Sequence, residues 1–213
     1  MNTSPKTRMR KRTTILTVPF LIVAASLAVS MNVPQAQEAP VTVTWHLSVN
    51  VIDDATGTIL TIDGTSYTQS ELSAGLPLTD VAGSAGHTVV ATTPVAGGST
   101  KQYVFSMWTN PPSGLSASSS SGTFTWPSNA STVTANYIVQ YLQTLSYSVS
   151  GSGSPTALTF TANRLGSVFN QTLTTTPTGY YFDSGSSWSV TNPLEGSTGT
   201  ERWDTSQTTS GTI

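Results

Sequence analysis

The sequence predicts an all-β protein in which two small, antiparallel, sandwich-like β modules follow an N-terminal signal or anchor segment. Three observations lead there. From Val41 onward, β-branched and aromatic residues alternate with polar ones at a period of two. Gly, Pro, Asn, Asp and Ser break these runs roughly every ten residues, the spacing of short strands joined by turns. No long segment keeps a helical period, and only Tyr67 to Ala74, with its Gln, Glu and Leu, reads as a short turn of helix.

Residues 1–37 form the leader. Lys6, Arg8, Arg10, Lys11 and Arg12 precede an apolar stretch from Ile15 to Met31, which is followed by polar residues to Gln37. That is the order of a secretory signal, and Ala28 and Ser30 are small residues placed for a cut before Met31. The 19 residues from Thr13 to Met31 are also close to the roughly 20 that an uncleaved helix needs to cross a bilayer. Both readings keep the basic flank inside and put the rest of the chain outside. The expected location is therefore extracellular or on the cell surface, with membrane contact only through an uncleaved leader.

The first module is expected over residues 38–139. Val41, Val43, Trp45, Leu47, Val49 and Val51 fall on one face of an alternating run, its core side. Ile59–Ile62 and Thr65–Thr68 flank Asp63–Gly64, a pair suited to the positive φ angles of a tight type I′ turn, so a hairpin is expected there. Further strands are read at His87–Thr92, Lys101–Trp108, Gly122–Trp126 and Thr132–Tyr141. Ser113 to Gly122, after Pro111–Pro112, reads as a flexible surface loop. Asp53–Asp54–Ala55–Thr56–Gly57 lacks the repeated ligands of a calcium loop and reads as a turn.

The second module is expected over 140–213, with strands around Leu145–Val149, Leu158–Phe160, Ser167–Thr174, Tyr180–Phe182 and Trp188–Val190. Thr93–Pro94–Val95 and Tyr103 align with Asn192–Pro193–Leu194 and Trp203 at spacings of 99 and 100 residues, which indicates a degenerate internal repeat. Tyr137 follows Tyr103 by 34 residues, whereas the chain stops 10 residues after Trp203. The alignment therefore predicts that the second module is incomplete at its C-terminus, and that its last strand lies beyond Ile213 or comes from another chain.

Gly86–Pro94, Tyr103–Trp108 and Val133–Tyr137 give the first module a pattern that resembles divergent internalin-type B-repeats. Tyr181–Pro193 with Glu201–Arg202–Trp203 resembles repeats of large secreted or cell-surface archaeal proteins. These resemblances imply small β modules arrayed on cell surfaces as stalks or adhesive spacers, with no shared catalytic residues. The B-repeat pattern usually has Gly just before the Trp, where a bulge turns both Phe and Trp inward; Met107 stands there in this chain.

Composition narrows the function further. Charged residues are 8% of the chain against about a quarter in an ordinary soluble protein. After residue 31 three bases face ten acids, a formal charge of −7 that excludes a basic nucleic-acid groove. With no cysteine, there is no disulfide, thiolate metal site or cysteine nucleophile. His46 and His87 lie in separate expected strands with no ligand spacing around them, and no Gly-x-Ser-x-Gly elbow occurs. The chain is thus expected to be no enzyme and to need no cofactor and no metal.

What remains is a non-catalytic structural or adhesive protein, or alternatively a carbohydrate-binding accessory region of a larger extracellular enzyme. Partners are a cell-surface glycan or another surface protein. Trp126, which ends a strand before Pro127, is the candidate for stacking on a sugar, and Asn129 and Asn170 head sequons for N-glycosylation.

Overall fold

The computed structural model describes residues 38–48, 54–150, 155–194, 197, 202–203 and 205–213. The leader, Val49, Val51 and Asp53, and Gly196 and Glu201 of the aligned repeat lie outside the described residues.

Alternation builds the first core. Strand β1 (Pro40–Leu47) buries Val43, Trp45 and Leu47, as its period of two requires. Strands β2 (Thr58–Ile62) and β3 (Thr65–Thr68) form the expected hairpin, with Asp63 at φ 48° and Gly64 at φ 79° in its turn. A single helical turn, α1 (Gln69–Ser73), follows and buries Leu72; the Thr68 N–H donates to Glu71 Oε2 at 2.7 Å across its start. Next come β4 (Leu76–Val81), β5 (Ala85–Ala91), the short β6 (Val95–Ala96), β7 (Lys101–Thr109), β8 (Ser121–Thr125) and the 15-residue β9 (Ser131–Leu145).

These strands make two sheets that share one core. One runs β4-β1-β9-β7-β6 and the other β3-β2-β5-β8. Trp45 from the first meets Phe124 from the second with ring centroids 5.5 Å apart, and Trp108 packs edge-on against Trp45 at 6.0 Å. Pairing is antiparallel except between β1 and β9, which run parallel. The first and last strands of the block thus lie side by side, so its sheet is mixed. β4 has no counterpart among the sequence-predicted strands. It is an edge strand, where Pro77 is tolerated because one side of the strand needs no ladder donors.

Two local features settle which way aromatic side chains point. In β7 the register shifts between Phe105 and Met107, so Ser106 is an extra residue opposite β9. Strict alternation would put Phe105 and Trp108 on opposite faces. The bulge instead buries both in the same core, 5.1 Å apart, with Met107 turned out where the resemblance has Gly. The segment expected to be a flexible loop is folded back onto Trp108. The Trp108 N–H donates to Ala117 O and its indole Nε1 to Ser119 O, while Leu115 is buried. An indole N–H and an apolar side chain anchor a stretch whose composition alone suggested mobility.

The second block comprises β10 (Thr159–Arg164), β11 (Ser167–Thr172), β12 (Thr178–Asp183), β13 (Ser187–Val190) and β14 (Ser210–Thr212). Its sheet runs β11-β10-β13-β14, so the last described residues add a strand to β13. Phe160, Ala162, Leu173 and Phe182 are its buried centre, with Leu145, Trp188 and Ile213 packed around them.

β9 joins the two blocks. β7 lies along one edge of it, pairing at Thr134–Tyr141. The opposite edge takes β1 at Ser131–Ala135 and then β12 at Gln140–Leu145. The expected module boundary, between 139 and 140, therefore falls inside a continuous strand. Gln102 Nε2 donates to Gln140 Oε1 at 2.9 Å, and Gln140 Nε2 donates to Asp183 Oδ1 at 2.8 Å, which links β7, β9 and β12 by side chains as well.

Candidate functional site

A polar cluster surrounds His87. The register shift at Gly86 (φ 88°) and the alternation of β5 set the imidazole on the face of Val89 and Ala91, against Phe124 and Trp126 at 5.4 and 5.0 Å. His87 Nδ1 lies 2.8 Å from Asp63 Oδ2, and Nε2 lies 2.9 Å from Ser84 Oγ and 3.8 Å from Asp80 Oδ2. The order Ser, His, Asp repeats the distances of an acyl-transfer relay. The sequence held no signal for it, because Asp63 reaches His87 only through the β2–β5 pairing.

The Ser84 hydroxyl is otherwise engaged. It donates to Val81 O at 2.7 Å, and its backbone N–H closes the same turn at 3.1 Å. A general base needs the hydroxyl proton facing its lone pair, and here the Ser84 proton is directed at Val81 O instead. Asp63 in turn accepts the Thr88 N–H at 2.7 Å. Burial pushes the Asp63 carboxyl up, but the bonds from His87 and Thr88 outweigh it and hold the group below its ordinary value. The cluster clamps two turns to the aromatic core. Among the described residues no three His, Cys, Asp or Glu side chains converge as metal ligands.

Trp126 is not a stacking platform. It is 3% exposed, and its indole N–H donates to Val41 O at 2.8 Å. The physical reason was present in the sequence: Trp126 stands two residues after Phe124 and so shares its inward face. Trp45 and Trp108 are equally buried. Trp188 is half-buried and stacks on Phe160 with rings inclined by 17°. Both sequon asparagines are exposed: Asn129 lies in the β8–β9 connection, and Asn170 on edge strand β11, where its Oδ1 accepts from Thr161 Oγ1 at 2.8 Å.

The second block holds a cleft of about 400 Å³. Tyr147 and Trp203 supply its aromatic surface, Leu158, Leu173 and Val190 an apolar floor, and Asn192, Thr205 and Gln207 neutral polar groups. Its walls are fastened by the backbone. Tyr147 N–H donates to Thr174 O at 3.1 Å, and Leu194 N–H to Trp203 O at 2.8 Å. Asn192 Oδ1 accepts the Thr205 N–H at 3.1 Å. The Leu194–Trp203 contact repeats the β6–β7 pairing of Val95 with Tyr103, so aligned positions meet in both blocks. That alignment and the Glu201–Arg202–Trp203 pattern are the sequence signals that point to Trp203. Compared with protein-family models, curated proteins and solved structures, the chain matches none.

Proposed function

We propose that this chain is a non-catalytic secreted or cell-surface protein whose two β blocks serve as a structural and adhesive unit. The observation that carries the reading is β9, an unbroken strand that packs Val133, Ala135 and Tyr137 into one core and Leu145 into the other. A shared strand resists bending between the blocks, as a stalk or spacer requires. The signal-like leader, the weakly charged Ser- and Thr-rich composition, the repeated Val95–Tyr103 and Leu194–Trp203 contacts and the resemblance to surface repeats all support it. The Ser84–His87–Asp63 cluster fits the same reading as a clamp.

Protease shaving of intact cells tests the reading, with a cytoplasmic enzyme as lysis control. The chain is expected to be cleaved on intact cells or recovered from the medium. Recovery only from lysed cells would overturn it.

A further inference from the structure

We infer that the cleft of the second block binds a neutral saccharide, with Trp203 and Tyr147 as the stacking surfaces and Gln207 at its polar rim. The inference rests on the adhesive part of the proposed function and names its ligand class. Three properties of the cleft select that class. Its volume of about 400 Å³ lies in the range of small-molecule sites. Its described lining carries no Asp, Glu, Lys, Arg or His, so it offers neither a counter-charge for a phosphate or carboxylate nor ligands for a cation. The −7 formal charge after residue 31 further disfavours polyanions.

The remaining chemistry is an aromatic and aliphatic surface edged by amide and hydroxyl groups. A pyranose ring has the complementary pattern, with a C–H face for the aromatic rings and equatorial hydroxyls that pair with neutral donors and acceptors. A purely apolar ligand would cover the amide of Gln207 and the hydroxyl of Thr208 without offering either a partner. Trp203 is held by backbone on both sides, through Leu194 and through Ser197 Oγ, which accepts its N–H at 3.0 Å. With its backbone already ordered in this way, Trp203 loses less freedom when its ring stacks.

The test is affinity electrophoresis and titration calorimetry of the full exported chain with soluble β-glucan, mannan and dextran, and with alginate as the anionic counterpart. At least one neutral polymer is expected to bind. Trp203→Ala should weaken that binding about tenfold or more, and Trp203→Phe should restore part of it. Gln207→Ala, at an exposed position where folding is not at stake, should weaken it severalfold with an unchanged circular dichroism spectrum. Binding to none of the neutral polymers, to alginate alone, or with equal strength by the Trp203 and Gln207 variants would overturn the inference. A surface-exposed chain that binds no saccharide sinks the cleft alone; a saccharide-binding chain confined to the cytoplasm sinks the surface reading alone.

Discussion

Gln140 and Asp183 face each other across β9 and β12, joined by a 2.8 Å hydrogen bond, with 1% and 7% of their surfaces exposed. Asp183 also accepts the Leu165 and Gly166 N–H groups of the β10–β11 turn at 2.9 and 2.7 Å. One buried carboxylate thus satisfies three donors from two elements. Asp183→Ala strands all three and should cost about 3 kcal/mol or more, and Asp183→Asn, which turns an acceptor into a donor, about 1–3 kcal/mol. Urea unfolding of both variants measures this. A loss under 0.5 kcal/mol for Asp183→Ala would contradict the described network.

The three buried tryptophans of the first core should respond unequally to the same change. Trp108 and Trp126 donate their indole N–H to Ser119 O and Val41 O, whereas Trp45 Nε1 has no acceptor among the described residues. Replacement by Phe removes similar volume at each. At Trp108 and Trp126 it also breaks a bond, for a cost of about 2–4 kcal/mol. At Trp45 it removes a buried unpaired donor, which offsets the cavity and leaves stability within about 1 kcal/mol of the parent. Equal destabilisation by all three substitutions would refute the distinction.

Deleting Ser106 should be far worse than its exposure suggests. The residue contributes only the extra step that turns both Phe105 and Trp108 inward. Without it one ring must leave the core, and the chain should lose over about 4 kcal/mol and its near-ultraviolet dichroism. Met107→Gly, at the same bulge but on the exposed face, should cost only about 1 kcal/mol.

Stability should fall at both ends of the pH scale for separate reasons. Asp63 is held below its ordinary value of 3.8, so its contribution is present above that pH and is lost as the pH falls through the lower folded value. Asp63→Asn keeps a residue that tolerates positive φ and should remove part of the acid slope. Burial pushes the Tyr137 phenol well above its ordinary 10, and its O–H is within reach of Thr92 O and Ile59 O at 3.1 and 3.3 Å. That contribution is complete below pH 10 and is lost as the pH rises beyond it. Tyr137→Phe should flatten the alkaline slope of the melting temperature, and an unchanged slope would rule out this assignment.

Much of the fold could be read from local chemistry. The Asp63–Gly64 turn, the buried face of β1 and most strands follow from alternation and turn residues that act within a few positions. Features that depend on distant partners could not be read this way. β4 hid behind Pro77 because nothing local says that a strand will lie at an edge. The inward turn of Phe105 and Trp108 together depends on a bulge that no residue type marks, since Met107 replaces the expected Gly. At the candidate sites the error was of another kind. A strand end before Pro127 suggests an outward Trp126, but its parity with the buried Phe124 places it inward. The cleft walls come from segments some 60 residues apart, Tyr147 and Trp203, and no spacing rule brings these together.

The shared strand also sets the order in which the chain can fold. β1 needs Ser131–Ala135 as its parallel neighbour, so it cannot be flanked on that side until almost ninety residues after it have been made. Closing so long a loop costs entropy before any contact repays it, so folding is expected in the slow range of about milliseconds to seconds. The hairpin of β2 and β3 can form early, but neither block is sealed until β9 arrives. The last strand of the first block is therefore also the template for the second: one folding event completes one core and begins the other.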